Sequence, residues 1–223
     1  MKKTGVLSVI YFLIGILYVG LKPQTTFCQE LFIKSLIIPV LIIIFIIELR
    51  RYRAPILFVM LAGLIFSWAG DISLEFSFIA GLACFLTAHI MYITAFFMTP
   101  GENVIFRSHW YLLSPVIIYG AMLIRVLFND LDEMRLPVIL YTIVILTMLA
   151  GAINRLKKVN RLSFVLVLAG AILFVISDSA IALNKFGFPF KYSGYVIMLT
   201  YIMAQYLITS GFIIQVKANG GKN

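Results

Sequence analysis

Hydrophobic residues fall in eight long runs separated by short polar or charged stretches, near residues 5–21, 31–48, 54–74, 77–98, 110–128, 134–153, 163–184 and 192–215. Each run holds about 20 residues, and at about 1.5 Å of rise per residue a helix of that length crosses a hydrocarbon core about 30 Å thick. Backbone polar groups in such a core have no water to bond, and a helix satisfies them within one segment. The pattern therefore predicts an all-α fold: a single integral membrane domain over 1–223, built as a polytopic bundle of eight transmembrane helices. The connections are too short to hide a soluble domain.

Composition sharpens this picture. With 62% hydrophobic and 12% charged residues and a mean hydropathy of +1.06, the chain has more apolar surface than a soluble domain can bury. The first run follows Met1-Lys2-Lys3 like the start of a signal peptide, but Tyr18 to Pro23 offers no small-x-small cleavage site, so a retained helix is expected. Cys28, near the first loop, and Cys84, inside the fourth run, make a poor disulfide pair. The net charge of +9 sits on residues that flank the apolar runs, which suits membrane topology and anionic lipid rather than nucleic acid. With the N-terminus cytoplasmic, the inner side receives Lys2, Lys3, Arg50, Arg51, Arg53, Arg107, Arg155, Lys157, Lys158, Arg161, Lys217 and Lys222, twelve of eighteen. Both termini are thus expected in the cytoplasm, in a bacterial inner membrane. Arg107, Trp110, Tyr111 and the run from Arg155 to Arg161 read as interfacial anchors.

Two residues break the apolar pattern: Asp71 in AGLIFSWAGDISL and Asp178 in AGAILFVISDSAIAL. An acidic residue at the centre of a spanning helix costs about 2.5–3.5 kcal/mol on insertion scales, so it is usually retained for a partner, an ion path or chemistry. Aligning Ala62-Gly63 with Ala169-Gly170 brings Asp71 onto Asp178 without a gap, and a weaker echo of LTAHIMYITAF in IMAQYLITSGF sets His89 over Gln205. This suggests two tandem, parallel four-helix halves; chance likeness between apolar helices is the alternative. Helix rise puts Asp71 about 26 Å and Asp178 about 22 Å from the inner ends of their spans. Both then fall in the outer half, where His89, Tyr201 and Gln205 are also expected.

Around Asp178 the chain supplies Ser177, Ser179, Asn184 and Lys185; around Asp71 it supplies Ser67 at i−4 and Glu75 at i+4. One neutral and one ionised carboxyl would give the division of labour that acid–base chemistry needs. The competing view is that both merely hydrogen-bond between helices. His89 with Tyr92, and Tyr201 with Gln205, share helix faces and could orient a carboxyl, a water or a lipid oxygen. Lys34 could snorkel to the interface or meet a phosphate. With only His89 and His109 in the chain, a three-histidine zinc site is excluded, and neither a metal nor a cofactor is expected. GxSxG and a phosphate-cradling glycine loop are absent.

The segments LAGLIFSWAGDISL, GLACFLTAHIMYITAFF, GAILFVISDSAIALNKF and LTYIMAQYLITSG together resemble the YhhN-like lysoplasmalogenase family of eight-helix membrane proteins, over almost the whole chain. One departure is Lys34-Ser35 where the family often has Lys-Pro. The resemblance implies hydrolysis of the vinyl ether bond of a lysophospholipid, giving a fatty aldehyde and glycerophosphoethanolamine or glycerophosphocholine. It also implies that Asp71 and Asp178 are the acid–base pair. Lys34, His89, Tyr92, Ser177, Asn184, Tyr201 and Gln205 are the candidate supporting residues. The chief rival is a lipid-binding protein or proton-coupled transporter, for which a Gly/Pro break near the aspartates would speak; the third and seventh runs contain none. A structural membrane protein is the third possibility.

Overall fold

The computed structural model describes residues 2–21, 26–103, 106 and 108–220. Met1 of the signal-like start, Lys22 and Pro23 of the cleavage-site reading, and Arg107 and Lys222 of the charge tally lie outside those residues. The main helices are α1 (Lys2–Leu21), α2 (Phe27–Leu49), α3 (Pro55–Phe76), α4 (Phe78–Phe97), α5 (Ser114–Leu127), α6 (Arg135–Ile153), α7 (Arg161–Phe186) and α8 (Ser193–Gly220). Short 3-10 turns at Trp110–Leu113, Phe128–Asp130 and Asp132–Met134 flank α5 and α6. Among the described residues eight helices are long and apolar enough to cross a membrane, and none of these residues is in a strand. The chain is an all-α integral membrane protein.

The helix ends extend the apolar runs for local reasons. α2 starts at Phe27 because Thr26 and Gln29 form a capping box, the Thr26 N–H donating to Gln29 Oε1 at 3.0 Å. α8 continues to Gly220, where Lys217 pairs with Glu48 at the end of α2. Within the helices, Thr87, Thr94, Thr142, Thr147 and Thr200 each donate to the carbonyl four residues earlier. That bond lets a hydroxyl sit in an apolar medium without an outside partner. Cys28 is exposed, and Cys84 Sγ lies 3.9 Å from Ser73 Oγ; both are free thiols.

The chain divides into two compact units, Met1–Ala95 with Phe212–Asn223, and Phe96–Gly211. In the first, α2 packs against α1 and α3. Only Ser77 separates α3 from α4, and its N–H bonds back to the Ser73 carbonyl at 2.8 Å. α3 turns Gly63, Ser67 and Gly70 towards α4, a spacing of four and three that keeps one helix face. A Cβ on Gly63 would stand 2.5 Å from the Tyr92 ring, and one on Gly70 2.8 Å from the Phe85 ring.

In the second unit α7 packs against α6 and α5. Asn160 caps α7 by accepting from the Ser163 N–H at 2.8 Å. A Cβ on Gly170 would lie 2.8 Å from the Ala204 carbonyl oxygen and 2.9 Å from the Ile208 nitrogen of α8. In each unit, then, a glycine of the acid-bearing helix packs against the helix that follows: Gly63 against Tyr92, and Gly170 against Ala204 and Ile208. Both α3 and α7 run unbroken through their aspartates.

Candidate active site

In the first unit Asp71 is 3% exposed, near the end of α3. One turn earlier, Ser67 Oγ lies 3.3 Å from Tyr92 Oη, a contact that ties the polar face of α3 to α4. His89 is wholly buried on α4, one turn before Tyr92. One turn beyond Asp71, Glu75 accepts from Lys34 Nζ at 2.6 Å. Lys34 is 5% exposed and held in this ion pair with Glu75. Trp68 Nε1 donates to the Ser35 carbonyl at 2.8 Å beside it, locking α3 to the first turns of α2.

Tyr18 completes this end of the unit. It is buried near the end of α1, within electrostatic reach of Glu75, Glu30 and Asp71. Sequence reasoning missed it. The available signal was a phenol close to the end of an apolar run, where its ring can be buried while its hydroxyl meets polar groups.

In the second unit three consecutive residues of α7 reach three different helices. Ser177 Oγ donates to the Ile197 carbonyl of α8 at 2.9 Å, Asp178 Oδ2 accepts from Tyr141 Oη of α6 at 2.5 Å, and Ser179 Oγ accepts from Tyr119 Oη of α5 at 2.7 Å. Successive side chains on a helix point about 100° apart, so Ser-Asp-Ser on a central helix forms one polar layer with neighbours all round. Both serine hydroxyls bond to other helices. Asp178 itself is half-buried, as is Asn184, about 9 Å further along the axis. Tyr201 and Gln205 are buried on α8, Tyr201 meeting the Phe174 ring edge-on at 5.5 Å. Tyr141 and Tyr119 were not foreseen: each lies mid-run, 37 and 60 residues from its partner, and only packing pairs them.

The turn between α6 and α7 departs from the anchor reading. Arg155 is fully buried, with Nη2 donating to Ser163 Oγ at 2.9 Å and the guanidinium 5.3 Å from the Phe96 ring centre. Burial pulls its pKa down to about 9. Lys158 bonds Asn103 Oδ1 at 2.6 Å, and its ammonium is likewise pulled down, first by burial and then by the charge of Arg155. Trp110 and Tyr111 are exposed, as anchors require. Among the described residues no three His, Cys, Asp or Glu side chains converge as a metal site.

Sequence comparison identifies relatives of this arrangement. The family model described as "YhhN family" matches residues 29–212, a stretch that contains both aspartates. The chain is 32% identical over 149 residues to "Lysoplasmalogenase TMEM86B" of Homo sapiens, covering 66% of this chain and 60% of that protein. It is 35% identical over 153 residues to "Lysoplasmalogenase TMEM86A" of Bos taurus, covering 66% and 61%, and 34% identical over 151 residues to the Homo sapiens protein of that name, with the same coverage. The match spans about three fifths of the length of these curated relatives. No solved structure matches the chain.

Proposed function

This chain belongs to the YhhN family, and from that premise we propose that it hydrolyses the vinyl ether bond of lysoplasmalogens, releasing a fatty aldehyde and glycerophosphoethanolamine or glycerophosphocholine. The observation that carries the proposal is the likeness, at 32–35% identity, to relatives that bear the name lysoplasmalogenase. The unbroken course of α3 and α7 supports an enzyme over a carrier, whose ion sites favour interrupted helices.

In the proposed reaction Asp71 and Asp178 are the acid–base pair. A carboxylic acid delivers a proton to the β-carbon of the vinyl ether, and the α-carbon becomes an oxocarbenium ion. The other aspartate, ionised, stabilises that cation and takes a proton from water as its oxygen bonds the α-carbon. The hemiacetal then collapses: the hydroxyl proton leaves, the carbon–oxygen bond to glycerol breaks, and the glycerol oxygen is protonated. Tyr141 supports this role for Asp178 by donating to Oδ2, which fixes the carboxyl plane. Lys34, His89, Tyr92, Ser177, Asn184, Tyr201 and Gln205 bind substrate or hold the two carboxyls in place. The same proposal puts both termini on the cytoplasmic side of a bacterial inner membrane, on the strength of the Lys/Arg tally.

The test is aldehyde release from vinyl-ether lysophosphatidylethanolamine and lysophosphatidylcholine by the purified protein in detergent. Wild type is expected to release aldehyde, and Asp71→Asn and Asp178→Asn to lose it while keeping their melting transitions. A folded wild type that releases none above a protein-free control overturns the proposal.

A further inference from the structure

The ion pair of Lys34 and Glu75 lies where α3 ends, and its two sides are unequally covered: the Lys34 side chain is 7% exposed and that of Glu75 29%. A lysine close to a helix end can reach water by itself. Holding it under cover against a carboxylate desolvates both charges, and such a pair stabilises a fold little or not at all relative to apolar packing. Glu75 follows Asp71 by four residues, so the two share a face and stand about 6 Å apart along the axis. One helical turn is comparable to the three-carbon glycerol unit that separates the ether oxygen of a lysophospholipid from its phosphate. The order also fits, with the reacting carboxyl deeper in the helix and the ion pair in its last turn.

The charges complement a headgroup that carries both signs. A phosphate presents a negative charge to Lys34, and the ammonium attached to it presents a positive one to Glu75. Glu75 and Glu30 both lie within electrostatic reach of Tyr18, and the Phe27 and Phe76 rings meet edge-on at 5.9 Å between the start of α2 and the end of α3. Carboxylates and aromatic rings both attract an alkylated ammonium.

We propose that Lys34 and Glu75 form the headgroup site for a zwitterionic lysophospholipid, Lys34 receiving the phosphate and Glu75 the ammonium. The internal ion pair opens as the headgroup enters, and each charge exchanges one partner for another. This rests on the vinyl ether reading above, and it adds Glu75 as the residue that sets headgroup preference.

The test compares kcat/KM for vinyl-ether lysophospholipids bearing phosphocholine and phosphoglycerol heads. Wild type favours phosphocholine, and Glu75→Gln lowers that ratio about tenfold, the effect of losing one charged contact of about 1.4 kcal/mol. The double exchange Lys34→Glu with Glu75→Lys rebuilds a structural ion pair yet leaves the preference lost. An unchanged ratio in Glu75→Gln, or a wild-type ratio in the exchanged protein, overturns the proposal. A second arm needs no turnover. The chain has two tryptophans, so Trp110→Phe leaves Trp68, beside Lys34, as the sole fluorescent reporter for titration with ester-linked lysophosphatidylcholine and lysophosphatidylglycerol. If no aldehyde forms but Trp68 reports a preference that Glu75→Gln removes, the vinyl ether reading falls and the headgroup site stands. Equal binding of the two lipids by wild type sinks the headgroup site.

Discussion

Around Asp71, α3 meets an ion pair and a serine–tyrosine contact; around Asp178, α7 meets two phenols and a backbone carbonyl. The two helices share the spacing from Ala-Gly to Asp and the same glycine seam against the helix that follows. What repeats is therefore the scaffold, while the partners of the carboxyls differ. Charged partners cluster at one end of α3, where a headgroup can reach them. Phenols surround α7 at mid-helix, where a hydroxyl can be buried and an ammonium cannot. Each acid-bearing helix thus has its own set of polar partners.

This comparison can be broken most directly at the carboxyls. Asp71→Asn and Asp178→Asn are each expected to lower aldehyde release by about 10²–10⁴-fold, the usual range for removing an acid or base. A loss confined to one variant would make that half the sole carrier of chemistry. The glycine seams come next. Gly170→Ala pushes a methyl group against the backbone of α8, which cannot yield, and is expected to cost up to about 3 kcal/mol in a denaturation series in detergent. Gly63→Ala meets the buried Tyr92 ring, a side chain rather than backbone, and should cost less, about 1–2 kcal/mol. Equal costs would mean that the seams are not distinguished by what faces them.

The phenols sharpen the comparison with smaller effects. Tyr141→Phe removes a 2.5 Å bond to a carboxyl and should lower kcat about tenfold with KM nearly unchanged, read by steady-state kinetics. Tyr92→Phe removes only a 3.3 Å contact between two hydroxyls, and a stability loss of about 1 kcal/mol or less is expected from the same denaturation series. A larger effect at Tyr92 than at Tyr141 would reverse the ranking of the two halves.

Hydrophobic spacing by itself determined the eight helices, because an apolar run of about 20 residues has one way to satisfy its backbone in lipid. The expected spans differ from the observed ones mainly where capping residues, such as Thr26 and Gln29, or a terminal ion pair at Lys217 extend a helix into polar sequence. The positions of Asp71 and Asp178 and their shared context were equally legible, since a carboxyl in an apolar run stands out without any partner in view. Tertiary structure alone decided the partners. Tyr141 for Asp178, Glu75 for Lys34 and Ser163 for Arg155 are set by helix packing and by how the chain turns at the helix ends. The physical reason is one of range: backbone bonding acts within four residues along the chain, whereas a side-chain hydrogen bond across a helix seam has no echo in local sequence.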